Sequence, residues 1–249
     1  MQNTLSLPKA NQFMFKNIQI KNILFIDIET VPAYPNYDDM PQSLRYLWDQ
    51  KAERIKKTDS DTSDQLYEKA GIYAEFGKII CISTAYIHQK ELRVKSFFGD
   101  NEKDILQEFA SLLNKYFSKS SKLLCAHNGK EFDYPYLARR MLINQIKLPN
   151  LLNIAGKKPW QIPHLDTMEL WKFGDYKHYT SLALLTEIFG IANPKDDIDG
   201  GDIAKVYYDD NDLERIVHYC QKDVIALTQL FLKYQGHQLI HDKNILIQS

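Results

Sequence analysis

Residues 22–32 read NILFIDIETVP. Ile23-Leu24-Phe25-Ile26 is apolar without interruption, alternation sets in at Asp27, and Val31-Pro32 closes the run. Residues 21–30 are therefore expected to form a strand that is buried for most of its length and surfaces at its end. Side chains two apart on a strand share a face, so Asp27 and Glu29 stand side by side while Ile26 and Ile28 turn the other way. Two carboxylates in an apolar segment repel each other and lose hydration, and a divalent cation answers both costs at once. Acidic residues also mark strand ends for no chemical reason, so the pair gains meaning only from its company.

Outward from this strand the pattern is mixed. Residues 78–87 and 91–98 are β-rich runs joined by His88-Gln89-Lys90, an expected antiparallel hairpin. Asn101 or Asp100 can cap a helix over 101–117, where Ile105, Leu106, Phe109, Leu112, Leu113 and Tyr116 recur at helical spacing. Residues 122–126 read as a fourth strand. After His127-Asn128-Gly129, residues 131–144 read as a helix that tolerates Pro135 in its first turn. Residues 162–168 are expected to be a short fifth strand, and 181–189 a short helix stopped by Gly190.

The last element is the clearest. Asp209, Asp210, Asn211 and Asp212 form a capping cluster, and Leu213, Ile216, Val217, Cys220, Val224, Leu227 and Phe231 make one apolar stripe of a long packed helix. Strands first, then strands alternating with helices, imply an α/β chain with a mixed sheet of about five strands flanked by helices. Residues 33–77 are too long for a hairpin loop and carry a helical pattern from Pro41 through Leu44, Leu47, Trp48 and Ile55, so a helical insertion is expected between the first two strands. No internal repeat appears. One domain over 1–249 is expected, with an N-terminal arm at 1–20 and a C-terminal tail at 235–249, both weakly ordered.

Composition narrows the function. With 249 residues, 44% of them hydrophobic, the chain can bury a full core. Its apolar runs are too short to span a membrane and the first 17 residues lack a signal-peptide layout, so a cytoplasmic protein without membrane contact is expected. Cys81, Cys125 and Cys220 are odd in number and sit in apolar contexts, which suits reduced core thiols better than disulfides or a zinc site. A net charge of -1 rules out a global positive field, so attraction for phosphate has to be local, as bound Mg²⁺ or Mn²⁺ would make it.

Three further residues join the strand pair. Asp133 follows the Asn128-Gly129 turn just past a strand end, where ligands collect in open α/β sheets, although a carboxylate in a first helical turn also suits the macrodipole. Tyr219 and Asp223 are four apart and share a face of the last helix. At about 100° per residue from Leu213, the apolar stripe spans roughly 300° through 40°, with Asp223 near 280° and Tyr219 near 240°, so both line its edge. Tyrosines border cores for packing reasons as well. Taken together, the set reads as a metal-dependent hydrolase. Asp166 is more simply structural, and Lys51, Arg54, Lys56, Lys57, Arg139 and Arg140 are either phosphate contacts or solvated faces. His127 reads as a polar residue at a strand end.

The spacings resemble the exonuclease motifs of the four-carboxylate (DEDD) 3′-5′ exonuclease superfamily, which has the ribonuclease H-like fold. Motif one is DIE at 27–29, motif two NGKEFD at 128–133, and motif three YCQKD at 219–223. The second and third look most like the proofreading domain of family B DNA polymerases, and the resemblance covers residues 21–234. His218 has the spacing of the superfamily's histidine subtype, but it points to about 140°, away from Asp223, so Tyr219 is the residue selected. The resemblance implies two Mg²⁺ or Mn²⁺ ions about 4 Å apart, with Asp27 bridging, Glu29 and Asp223 completing one site and Asp133 the other. It further implies that Tyr219 orients the attacking water and that Thr30, Asn128 and Phe132 hold the terminal nucleotide. The expected reaction is release of 5′-mononucleotides from single-stranded DNA or frayed 3′ ends. RNA cleavage of the ribonuclease D type is one alternative, and an idle nucleic-acid-binding domain is another. The chain has no room for a polymerase palm or fingers, so a free-standing exonuclease is expected, with the 33–77 insertion as a wall of the cleft.

Overall fold

A computed structural model describes residues 18–175, 179–193 and 197–248; most of the expected N-terminal arm lies outside them. The opening stretch is β1 (Ile23–Pro32), in which Ile23, Leu24, Phe25 and Ile26 are fully buried. The insertion is helical as expected, with α1 (Gln42–Ile55), α2 (Ser63–Leu66) and a 3-10 segment (Tyr67–Ile72). It builds its own small core from Met40, Trp48, Ala52, Leu66, Tyr67, Ala70 and Phe76. β2 (Gly77–His88) and β3 (Glu91–Phe98) form the hairpin, with Gln89 at φ 58° in its turn. Then come α3 (Glu102–Tyr116), capped by Asn101 through Lys103 N, and β4 (Leu123–Ala126).

The remaining elements are α4 (Asp133–Ile143), β5 (Leu165–Asp166), α5 (Thr167–Lys172), α6 (Leu182–Phe189), α7 (Ile203–Tyr208), α8 (Leu213–Tyr234) and β6 (Ile245–Gln248). The sheet order is β5-β4-β1-β2-β3-β6. β1 pairs antiparallel with β2 and β2 with β3, while the β1/β4, β4/β5 and β3/β6 pairs are parallel. Three expectations need correction. The sheet has six strands rather than about five, because residues 245–248 of the supposedly loose tail pair with Leu92 to Lys95. The strand expected over 162–168 is two residues long, since Asp166 caps a helix through the amides of Met168 and Glu169. The helix expected from 131 begins at Asp133.

The sheet's two faces follow the alternation of β1. Leu24, Ile26 and Ile28 pack with Ile105, Leu106 and Phe109 of α3 and Leu137 and Met141 of α4. Ile23 and Phe25 pack with Val224, Leu227 and Phe231 of α8, and the Phe25 and Phe231 rings meet edge-on at 5.5 Å. Each such fully buried side chain contributes about 1.5–3 kcal/mol, so α8 is held firmly beneath the strand. Asp27 and Glu29 continue the Ile23/Phe25 face and so point toward α8. A bulge between Glu29 and Thr30 re-aims the end of the strand. No helix among the described residues is long and apolar enough to cross a membrane.

Candidate metal centre and nucleic-acid cleft

A cleft of about 610 Å³ opens at the end of β1. Asp27, Glu29, Thr30, Asn128, Phe132, Asp133, Tyr219 and Asp223 all line it. The residues singled out in the sequence for metal or nucleotide contact thus come to one place, from a strand, a strand-end turn, a helix start and the flank of α8.

The turn after β4 is tightly constrained. Asn128 adopts φ 64°, a left-handed conformation that asparagine tolerates better than most residues. Gly129 has no room for a side chain, because a Cβ there would lie 2.4 Å from Ala126 Cβ and 2.9 Å from the Tyr134 ring. Asp166 holds the turn from outside: its carboxylate accepts from Asn128 N at 2.9 Å and Lys130 N at 3.1 Å as well as from the two amides of α5. These four bonds tie the turn after β4 to the start of α5. That start was legible in the sequence, since Asp166 with Glu169 three residues on is a helix-start pattern. His127 bridges Thr167 Oγ1 and the Thr180 carbonyl, both at 2.9 Å, and burial lowers its pKa.

The electrostatics of the floor are unusual. Burial, then the charges of Asp223 and Asp133, raise the pKa of Asp27 well above the ordinary carboxylate value. Burial and then Asp27 do the same to Glu29. Asp133 is pushed from 3.8 to about 8, chiefly by burial and further by Asp166 and Asp223, although its own amide and that of Ile28 pull the other way. A helix N-terminus favours a carboxylate by about 0.3–1 kcal/mol, so burial outweighs the dipole here. Among the described residues, none of these three carboxylates forms an ion pair with Lys, Arg or His.

Tyr219 is 6% exposed and lines the cleft with Asp223; burial and the charges of Asp223, Glu29 and Asp27 raise its pKa far above 10. It is a phenol that stays protonated. His218 lies outside on α8, exposed, its Nδ1 2.8 Å from the Glu214 carbonyl. Of the two neighbours, Tyr219 is the one that lines the cleft with the carboxylates.

Sequence reasoning missed several contributors. Cys220, read only as a core thiol, places Sγ 3.3 Å from Asp27 Oδ2. Glu68, Lys69 and Ile72 of the insertion line the cleft, as does Tyr179, which is 69% exposed at its rim. Asn128 Oδ1 is buried without a hydrogen-bond partner. Of the basic residues that the sequence offers as phosphate contacts, Arg140 is a buried strut, bound to both Glu102 oxygens and to the Ala74 carbonyl. Lys51 lies over the Tyr73 ring and Lys56 pairs with Glu53.

The donor set fits divalent metals: four carboxylates from β1, α4 and α8 line one cleft, and Asp27, Glu29 and Asp133 among them have no cationic partner in the described residues. Residues 72–244 match the model of a family described as a predicted 3′-5′ exonuclease related to the exonuclease domain of PolB. Among solved structures, a similar one is the family B DNA polymerase from the hyperthermophilic archaeon Pyrobaculum calidifontis, at 14% identity and a TM-score of 0.48. The match covers 85% of this chain and 24% of the polymerase, so the chain spans about a quarter of that protein's length. By its match over most of its length, the chain belongs to the family of predicted 3′-5′ exonucleases related to the exonuclease domain of PolB.

Proposed function

We propose that the protein is a metal-dependent 3′-5′ exonuclease that releases 5′-mononucleotides from single-stranded DNA or frayed 3′ ends. The observation that carries this reading is the cleft floor, where Asp27, Glu29 and Asp133 are held with raised pKa values and no cationic side chain. Such an arrangement is costly unless cations arrive from solution. Asp27, Glu29, Asp133 and Asp223 are the residues that would hold two Mg²⁺ or Mn²⁺ ions. When bound, these ions would supply a water of lowered pKa and charge stabilisation at the leaving 3′ oxygen.

The chain's own side chains do the rest. Tyr219, kept protonated by burial and its acidic neighbours, is a hydrogen-bond donor that orients the attacking water and not a base that removes its proton. Asn128 lines the cleft and keeps a buried oxygen without a hydrogen-bond partner, an acceptor that a turn of its amide would offer to the terminal nucleotide, and Phe132 beside it offers a ring to a base. Thr30 completes this contact set. The insertion supplies one wall through Glu68, Lys69 and Ile72, which supports its assignment as a substrate-confining element.

The test is direct. Purified protein with Mn²⁺ or Mg²⁺ is offered 3′- and 5′-labelled single-stranded DNA and RNA beside an Asp27→Ala control. Stepwise loss from the 3′ end of DNA, absent in the control, is expected. Cleavage of RNA alone would overturn the DNA assignment, and absence of any metal-dependent cleavage would overturn the enzyme.

A further inference from the structure

Beneath the two strand carboxylates lies sulfur. Cys220 is fully buried on α8 between Tyr219 and Asp223, with Sγ 3.3 Å from Asp27 Oδ2 and 3.5 Å from the Asp27 carbonyl. One ligand atom each from Asp27, Glu29 and Cys220 all lie within 4.8 Å of one another. A second buried thiol, Cys81, stands directly across from Glu29 in the β1/β2 register and packs in one buried cluster with Cys220, so the pair of carboxylates is backed by a pair of thiols. The third cysteine, Cys125, packs with Ile23 and Phe25 around α8 and is not in this group.

Glu29 provides the independent pointer to a ligand. It is 7% exposed, lines the cleft, and its carboxylate makes no hydrogen bond or ion pair among the described residues. A carboxylate so deeply buried and without a donor is aimed at something the protein itself does not supply. What the three atoms offer is two hard oxygens and one soft sulfur. Mg²⁺ has no use for sulfur and demands octahedral oxygen, whereas Zn²⁺ and Cd²⁺ accept thiolate and carboxylate together at low coordination number.

We propose that Asp27, Glu29 and Cys220 form a mixed oxygen–sulfur site that captures a thiophilic divalent ion, Zn²⁺ or Cd²⁺. Typical bond lengths of ~2.3 Å to sulfur and ~2.0–2.2 Å to oxygen set the ligand atoms of one ion roughly 3.3–3.6 Å apart, so one ion reaches all three once the side chains close in by up to about an ångström. As the metal–sulfur bond forms, the Cys220 proton leaves to solvent. The captured ion takes both strand carboxylates away from Mg²⁺, so Zn²⁺ acts as an inhibitor of the Mg²⁺-supported reaction. The proposal rests on the exonuclease reading in taking Asp27 and Glu29 as metal-facing groups, but its readout is sulfur coordination and does not require activity.

Reduced, chelator-treated full-length protein is titrated with Cd²⁺ and followed by ultraviolet absorption. A sulfur-to-cadmium charge-transfer band that saturates at one equivalent is expected, lost in Cys220→Ser and kept in Cys125→Ser. X-ray absorption on the Zn²⁺-loaded wild-type protein should show a sulfur scatterer at ~2.3 Å beside the oxygens, a measurement that does not depend on any variant folding. The Zn²⁺ concentration that halves Mg²⁺-supported hydrolysis should rise at least roughly tenfold in Cys220→Ser, the loss expected of one good ligand. No band in the wild-type protein, a band that survives Cys220→Ser, or a shell of oxygen and nitrogen alone would overturn the site. A charge-transfer band without Mg²⁺- or Mn²⁺-dependent hydrolysis would sustain the site and overturn the exonuclease.

Discussion

Asp133→Asn should make the metal-free protein more stable at pH 8 and leave it nearly unchanged at pH 5. In the unfolded chain Asp133 ionises near 3.8, whereas in the folded protein burial holds it neutral until about 8. A carboxyl whose folded pKa lies above its unfolded value contributes stability that is fully present below about pH 4 and is lost as the pH rises through about 8. Each pH unit of that interval is worth about 1.4 kcal/mol, which bounds the loss at roughly 6 kcal/mol. Water entering the cleft floor and relaxation of the turn bring the expected loss to about 2–4 kcal/mol. Asparagine keeps the shape and removes the titration. Asp27 and Glu29, shifted in the same direction, remain in the variant, so its stability should fall less steeply with pH without becoming flat.

The assay is urea unfolding in chelator at pH 5, 6.5 and 8, with wild type and variant in parallel. Near pH 5 the two should agree to within about 1–2 kcal/mol, and at pH 8 the variant should lead by about 2–4 kcal/mol. Saturating Mg²⁺ at pH 8 should then raise the wild type more than the variant, because the ion binds only the folded state and loses a ligand in the variant. Parallel curves at all three pH values, or a variant weaker than wild type at pH 8, would show that Asp133 is an ordinary ionised first-turn carboxylate and would remove the burial reasoning on which the metal assignment rests.

Tyr219→Phe should lower turnover by about 10²-fold with little change in stability, while His218→Ala stays within about twofold in steady-state kinetics; the reverse ordering would reassign the residue that orients water. Gly129→Ala should cost about 1–3 kcal/mol in thermal or urea unfolding, because its Cβ would overlap Ala126 and the Tyr134 ring, and an unchanged melting curve would refute that fit. Asp166→Ala strips the acceptor from four backbone amides and should cost about 2–4 kcal/mol, with Asp166→Asn milder; equal losses in the two would mean that charge and not acceptance matters there. Lys69→Glu on the cleft wall should raise KM about three- to tenfold, more at low salt, with kcat nearly kept, and a fall in kcat alone would place Lys69 near the chemistry instead.

How legible each part is in the sequence follows from how far it depends on distant residues. β1 and α8 are legible because periodicity is a local property: one strand alternates after a buried run, one helix carries a single stripe, and each fixes its own buried face. β6 is not, since Ile245 to Gln248 is a strand only by virtue of pairing with Leu92 to Lys95, far back along the chain. Residues 162–168 look like a strand when apolar composition is weighed above the cap written at Asp166 and Glu169, and in the folded chain the cap wins. The same contrast separates the carboxylates from the thiol beneath them. A charged group in an apolar run is expensive unless compensated, so Asp27 and Glu29 draw attention in the sequence and gain their meaning from the company of Asp133, Tyr219 and Asp223. A cysteine in an apolar run is ordinary core, so Cys220 says nothing until geometry sets its sulfur against Asp27. Sequence thus reveals the residues whose burial is costly and hides those whose burial is easy.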